Sequence, residues 1–267
     1  MKNAFSISQI GICVLLIFGT LAEGKAQQKT MVWNAFNMGL TLTDRLDGRI
    51  AYLRSTKLSE TGLRNNFNWY QMRLGYQVNK NWSVRTGLVW MHLPKSGRTT
   101  RRLQASAFHR IKLDKRFVLK NGVRVEAHRH ETRFDQRVIL MSRLGLRKRM
   151  KFLGIAPSVN YSLFYNIGGD AIRYFNETGE QVAQNAAEGL QRGRMVVNLN
   201  VKLSQPLRLS VYYMNNHEFN FLSKETQKIN VLNPNTGRVQ RPFNNFQVVG
   251  MSLSYQLNER NLLPINL

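Results

Sequence analysis

The chain contains a single cysteine, Cys13, among 267 residues. It sits inside an apolar run near the N-terminus, with Ile12 before it and the run continuing past it. A lipoprotein site has the opposite layout, with the apolar run ahead of the cysteine and a small residue directly before it. The rest of the chain has no thiol, which excludes disulfides and thiolate zinc sites and removes a folding hazard in an oxidising compartment. Carboxylates are scarce too: 15 Asp and Glu stand against 39 Lys and Arg, a formal net charge of +24. Long apolar runs are missing. The segment 10–18 (IGICVLLIF) is well short of the ~20 residues a helix needs to cross a bilayer, and no later segment is longer. No Pro/Ser linker, composition shift, long repeat or nucleotide-binding glycine pattern interrupts the chain, so a single domain is expected.

What the N-terminus does have reads as an export signal. Lys2 supplies the positive start, 10–18 the short apolar core, and Gly24-Lys25-Ala26 small residues for cleavage. Residues 1–26 are therefore expected to be a signal peptide and 27–267 the mature domain. Export, together with basic residues interleaved singly with apolar ones, argues against a nucleic-acid partner despite the charge. A phosphate-rich surface such as lipopolysaccharide is the better electrostatic match.

Along the chain runs a two-residue beat. Met195, Val197, Leu199, Val201 and Leu203 alternate with mostly polar neighbours, and the pattern recurs at 70–78, 82–90, 207–213 and 249–257. Side chains on a strand alternate faces, so each stretch has an oily side and a wet side. Eleven such strands are read, at 31–43, 46–55, 65–78, 81–93, 103–113, a strand ending near His130, 136–149, 152–166, 194–203, 207–215 and 246–258. The second is blurred, and the turn after the fifth falls either at Asp114-Lys115 or at Asn121-Gly122. Short turns near 44–48, 79–81, 149–151 and 204–206 alternate with longer polar loops near 56–64, 93–101, 131–136, 167–192 and 216–245. Trp82 and Trp90 stand near the two ends of one oily face, as interface aromatics do.

The expected fold is all-β, a transmembrane antiparallel up-and-down β-barrel of about 10–12 strands in a bacterial outer membrane. In hydrocarbon an open sheet would leave two edges of unpaired backbone, which closure avoids. Bacterial barrels of this kind normally have an even strand number, so a count of eleven points to a missed or misplaced strand.

The wet faces carry the candidate chemistry. Arg124, Glu126, His128 and His130 share one face, Arg137 and Arg143 lie on the wet face of the next strand, and Arg73 and Arg85 join that side elsewhere. The plainer reading is a salt-bridged lumen filled by its own side chains. The functional readings are an ion-selective constriction, with anions preferred because arginines outnumber carboxylates, or an acid–base pair. His109 is placed on the oily face with Leu103, Ala105, Ala107, Ile111 and Leu113. It is the catalytic candidate for a membrane-edge hydrolase acting on phospholipid or lipid A, although Ile111, not serine, stands two residues on. No metal site and no cofactor is expected.

Trp33 at the start of the first strand, Arg124-Val125-Glu126 with His128, and Arg137 and Arg143 in a run ending Arg143-Leu144-Gly145-Leu146-Arg147 form a recognisable layout. The chain resembles the outer-membrane barrel family known as domain of unknown function 2490, whose members carry an Arg-x-Glu strand followed by an arginine-rich strand in mid-chain. The resemblance spans most of residues 31–257. The chain departs from it in the long segments 167–192 and 216–245 and in the tail after Asn258. It implies a signal-bearing outer-membrane barrel without an established activity. The functional expectation is accordingly a structural barrel or a narrow basic-lined pore. Its partners would be outer-membrane lipids and lipopolysaccharide, with the barrel-assembly machinery during insertion.

Overall fold

The computed structural model describes residues 29–59, 62–129, 134–150, 154–220, 223–224, 228–240, 242–243 and 245–257. The expected signal segment 1–26, His130 and the tail after 257 lie outside the described residues. Eight strands follow one another as antiparallel neighbours: β1 (Lys29–Thr41), β2 (Leu46–Ser59), β3 (Gly62–Gln77), β4 (Trp82–Leu93), β5 (Arg98–Lys112), β6 (Phe117–Arg129), β7 (Gln136–Leu146) and β8 (Ile155–Ile167). A separate two-stranded hairpin comes next, β9 (Ile172–Phe175) with β10 (Gln181–Asn185). The wall then resumes with β11 (Gly189–Lys202), β12 (Leu207–Glu218) and β13 (Phe246–Leu257), and β13 closes on β1.

The wall has eleven strands, and the odd number has a geometric consequence. Strands that alternate up and down around a ring return in phase only if their number is even. With eleven, the first and last must run the same way. β1 and β13 indeed pair in parallel over twelve residues, from Lys29↔Phe246 to Leu40↔Leu257. Side chains tie this seam as well: Asn37 Nδ2 donates to Ser252 Oγ at 2.6 Å, and Gln256 Nε2 donates to Thr41 Oγ1 at 3.0 Å. The sequence expectation of a missing strand is corrected here, since a parallel seam closes an odd barrel without leaving an edge.

The beat sorts the side chains outward and inward. Met72, Leu74, Leu103 and Leu140 are each more than half exposed on the outer face, whereas Glu126 is 3% and Arg137 7% exposed on the inner one. This inverts the partition of a water-soluble sandwich, where apolar faces turn inward.

Turn chemistry settles the open connection after β5. Asp114 Oδ1 accepts the backbone N–H groups of Arg116 and Phe117, both at 2.6 Å, and turns the chain at 113–116. Asn121-Gly122 lies in mid-strand instead. The glycine is required there because the Phe108 ring lies over it, and a Cβ would run into that ring and the Ala107 carbonyl. Two of the expected long loops are short. β2 and β3 stay paired to Ser59↔Gly62, with a one-residue bulge on β3 after Ser55↔Phe67, and β4 and β5 stay in register to Leu93↔Arg98. Two long connections remain, 168–188, which carries β9 and β10, and 219–245.

These two connections fold onto each other at one end of the barrel. Asn185 Nδ2 donates to the Gln240 carbonyl at 2.7 Å, Tyr174 Oη to that of Val231 at 3.2 Å, and Asn235 Nδ2 to that of Phe175 at 2.8 Å. Asn230 holds the left-handed conformation (φ 58°) and brackets Phe243, accepting its N–H and donating to its carbonyl. Phe243 then packs with Ile229 and Phe134 in a buried apolar cluster.

Candidate functional site

Glu126 is the centre of the lumen network. It lies on the inner face of β6, between Gln104 of β5 and Arg137 of β7 in register. Both oxygens are engaged. Oε2 is 3.4 Å from Arg102 Nη1 and 3.2 Å from His128 Nε2, and Oε1 is 3.7 Å from Arg124 Nη1. The carboxylate is thereby placed as the counter-ion of Arg102 and Arg124.

A stack of cations and rings continues from it. His128 stands edge-on to Phe134, with centroids 4.9 Å apart. The Arg137 guanidinium lies 4.1 Å from the Phe134 centroid and 5.4 Å from that of Phe164, while Arg194 lies 4.8 Å from Phe164. Planar guanidinium groups stack on aromatic faces this way and keep their donors free at the edge. Arg137 Nε uses one on Asn166 Oδ1 at 2.8 Å, and Arg194 uses two on Asn216 Oδ1. Arg192 donates from Nε and Nη2 to Glu218 Oε1 at 3.0 and 2.6 Å and sits 5.4 Å from the Phe243 ring. The apolar cluster at the mouth therefore rests directly on the arginine layer.

Below this lies a cavity of about 780 Å³ inside the barrel. Nine Arg and Lys side chains line it against one carboxylate, Glu126. Of the residues singled out from the sequence, Arg124, Glu126, His128 and Arg137 come together, and Arg85 and Arg143 line the same cavity. Arg73 stands apart from it, directly opposite Arg49 across β2 and β3. Sequence reading missed Arg102, Arg192, Arg194 and Glu218. Arg102, Arg192 and Glu218 lie just beyond the expected strand limits, so the wet-face assignment did not reach them. The beat at Gln104 and at Asn216, continued one step, would have placed Arg102 and Glu218 in the lumen.

His109 faces outward and stacks on Trp82, with ring centroids 4.6 Å apart and planes at 22°. The register sets His109, Asn121 and Ser142 side by side on β5, β6 and β7. Ser142 Oγ donates to Asn121 Oδ1 at 2.9 Å, so the amide stands between the hydroxyl and the imidazole. Among the described residues, no group of three His, Cys, Asp or Glu is placed to hold a metal ion.

The family described as "Protein of unknown function (DUF2490)" matches residues 30–227, which take in β1 to β12 and the whole Glu126 network. The chain belongs to this family. The matched range stops before β13, so the strand that closes the seam lies beyond it. No curated protein matches the sequence.

Proposed function

We propose that this member of the family is an integral outer-membrane protein whose arginine-lined lumen forms a narrow path that prefers anions. The observation behind the proposal is the partition of charge: an outer face rich in exposed Leu, Met, Val and Tyr around an inner face that gathers Arg, Lys and Glu126 among its aromatic and apolar side chains. Soluble monomers rarely expose apolar patches beyond a few hundred Å², while lipid demands an apolar surface and a closed hydrogen-bonded wall. Register adds support. Phe36, Tyr52, Tyr70 and Trp90 are successive outward neighbours on β1 to β4, and Arg101 and Arg129 continue the row on β5 and β6. Two arginines directly opposite each other repel unless anions sit beside them, and lipid and lipopolysaccharide phosphates are suitable anions. Entry by the barrel-assembly machinery follows from the same reading.

The test is reconstitution of the purified barrel in a planar bilayer across a KCl gradient. A reversal potential on the anion side is expected, with small conductance because Phe134 and Phe243 cap the cavity. A silent barrel, or cation preference, would remove the pore. Recovery of the protein in the soluble periplasmic fraction would remove the membrane setting altogether.

A second reading, hydrolysis of phospholipid or lipid A at the membrane edge, has one observation behind it: the outward row of His109, Asn121 and Ser142. Against it stands the Ser142–Asn121 hydrogen bond, since a nucleophile needs its hydroxyl on the base. Lipid profiles by mass spectrometry, with and without His109→Ala and Ser142→Ala, decide it. Unchanged profiles leave the lumen as the functional part.

A further inference from the structure

Two walls of opposite chemistry meet in the lumen cavity. On one side Ala35, Leu53, Trp69 and Met91 are successive inward partners across β1 to β4. Four apolar side chains thus stand abreast on this part of the inner face, with no charged residue among them. Trp33 and Phe67 extend this wall in an edge-to-face pair at 5.6 Å, and the buried indole Nε1 of Trp33 has no hydrogen-bond partner. On the other side Lys120 directly opposes Arg143 across β6 and β7. Lys120 Nζ and the Arg85 guanidinium both lie over the Phe108 ring, at 4.4 and 4.9 Å. Among the described residues no carboxylate lies within ion-pair distance of Arg85, Lys120 or Arg143; the ion pairs there engage Arg102, Arg124, His128 and Arg192.

Each wall is unfavourable without an occupant. Apolar side chains facing water forgo burial, and like charges held opposite each other without a counter-ion repel. One class of molecule relieves both costs, namely an apolar chain carrying a single anionic head. We propose that the lumen cavity binds a long-chain monocarboxylate, its head between Lys120 and Arg143 and its chain along Trp69, Leu53 and Met91. The cavity volume of about 780 Å³ lies within the range of small-molecule sites. Arg85 and Met91 are six residues apart on β4, about 20 Å, which is the reach of a long alkyl chain. The carboxylate also supplies the negative charge that Glu126, already committed to Arg102, Arg124 and His128, does not bring to this end. The proposal rests on the reading of the barrel as a lipid-embedded shell with a basic lumen.

The probe is 12-bromododecanoate, whose bromine quenches tryptophan, added to the barrel in phosphatidylcholine nanodiscs. Trp82→Phe and Trp90→Phe remove the two outward tryptophans, so that Trp33 and Trp69 in the cavity report. Saturable quenching is expected, with the uncharged 12-bromododecanol giving only the linear quenching of partition into lipid. The Lys120→Gln/Arg143→Gln pair should raise the half-saturation concentration at least tenfold, and Lys120→Arg/Arg143→Lys should restore it. Linear quenching by the acid, equal behaviour of acid and alcohol, or an unchanged half-saturation in a folded Gln pair overturns the proposal. The acid–alcohol comparison needs no lumen variant, so it decides even if the Gln pair fails to fold. The KCl reversal potential on the same preparation separates the two claims. Anion preference without saturable quenching removes the site and keeps the lumen reading, and saturable quenching without anion preference does the reverse.

Discussion

Glu126 holds the centre of the ion-pair network inside this barrel. Glu126 faces Arg102, Arg124 and His128 within 3.2 to 3.7 Å and is itself 3% exposed. Removing its charge leaves Arg102 and Arg124 without their carboxylate, and breaking a buried pair in this way costs about 3–5 kcal/mol. Glu126→Gln is therefore expected to lower the urea unfolding midpoint strongly, with the slope unchanged, and to sharpen anion preference in a bilayer. A midpoint equal to that of the parent would show that the cations have found other compensation. Gly122 is a second sensitive residue, for a steric reason. The Phe108 ring occupies the space a Cβ would need, and Arg85 and Lys120 lie over that ring. Gly122→Ala should destabilise by about 1–3 kcal/mol, the usual cost of overpacking, and should be partly rescued by Phe108→Leu in a double-mutant cycle.

At the scale of elements, the turns at the short end are held by side chains that cap backbone donors. The Asp114 carboxylate, between the Phe117 and Arg116 N–H groups, is held below its usual range by those two hydrogen bonds. A carboxyl whose folded value is depressed contributes its full stability above the unfolded value, about 3.9, and loses it as pH falls through the lower folded one. Urea midpoints followed downward from pH 7 should thus decline on the acid side, and Asp114→Asn should flatten that limb while leaving the hairpin register intact. The cap at the opposite end uses asparagine amides instead, at Asn185, Asn220 and Asn230, which carry no charge and add no acid-side dependence. The β9–β10 hairpin within that cap escaped sequence reading. Its strands are 4 and 5 residues long, too short for alternation to be distinguished from chance in a polar stretch. The eleven wall strands were legible because each repeats the beat several times. The blur of β2 has a structural cause: Ile50 and Tyr52 face out while Ala51 and Leu53 face in, so both faces are apolar at that point.

At the scale of the whole molecule, the inversion of polarity makes a single substitution diagnostic of the surroundings. Leu74 is 51% exposed on the outer face. In water, replacing an exposed leucine by arginine is close to neutral, within about 0.5 kcal/mol. In the middle of a bilayer the same change costs a barrel about 2–4 kcal/mol. Leu74→Arg should therefore fold poorly into phosphatidylcholine vesicles and lose heat-modifiable migration on gels, whereas Leu74→Ile should not. Normal insertion of the arginine variant would place this face outside the hydrocarbon. The odd strand number belongs to this scale too, since a ring of eleven needs one parallel contact and β1 supplies it with β13.

Local alternation settled what the sequence could settle alone. It defined most of the strands, the polarity of their two faces, most of the tight turns and the identity of six residues lining the lumen cavity, because each depends on neighbours within a few positions. Three things waited for the closed ring. The direction in which the oily face points, the parallel seam, and the pairing of Arg192 with Glu218 and Arg102 with Glu126 all depend on register between strands. The apolar strip of Leu53, Trp69 and Met91 opposite Lys120 and Arg143 came last, because only curvature brings the two sides of a sheet face to face across a lumen.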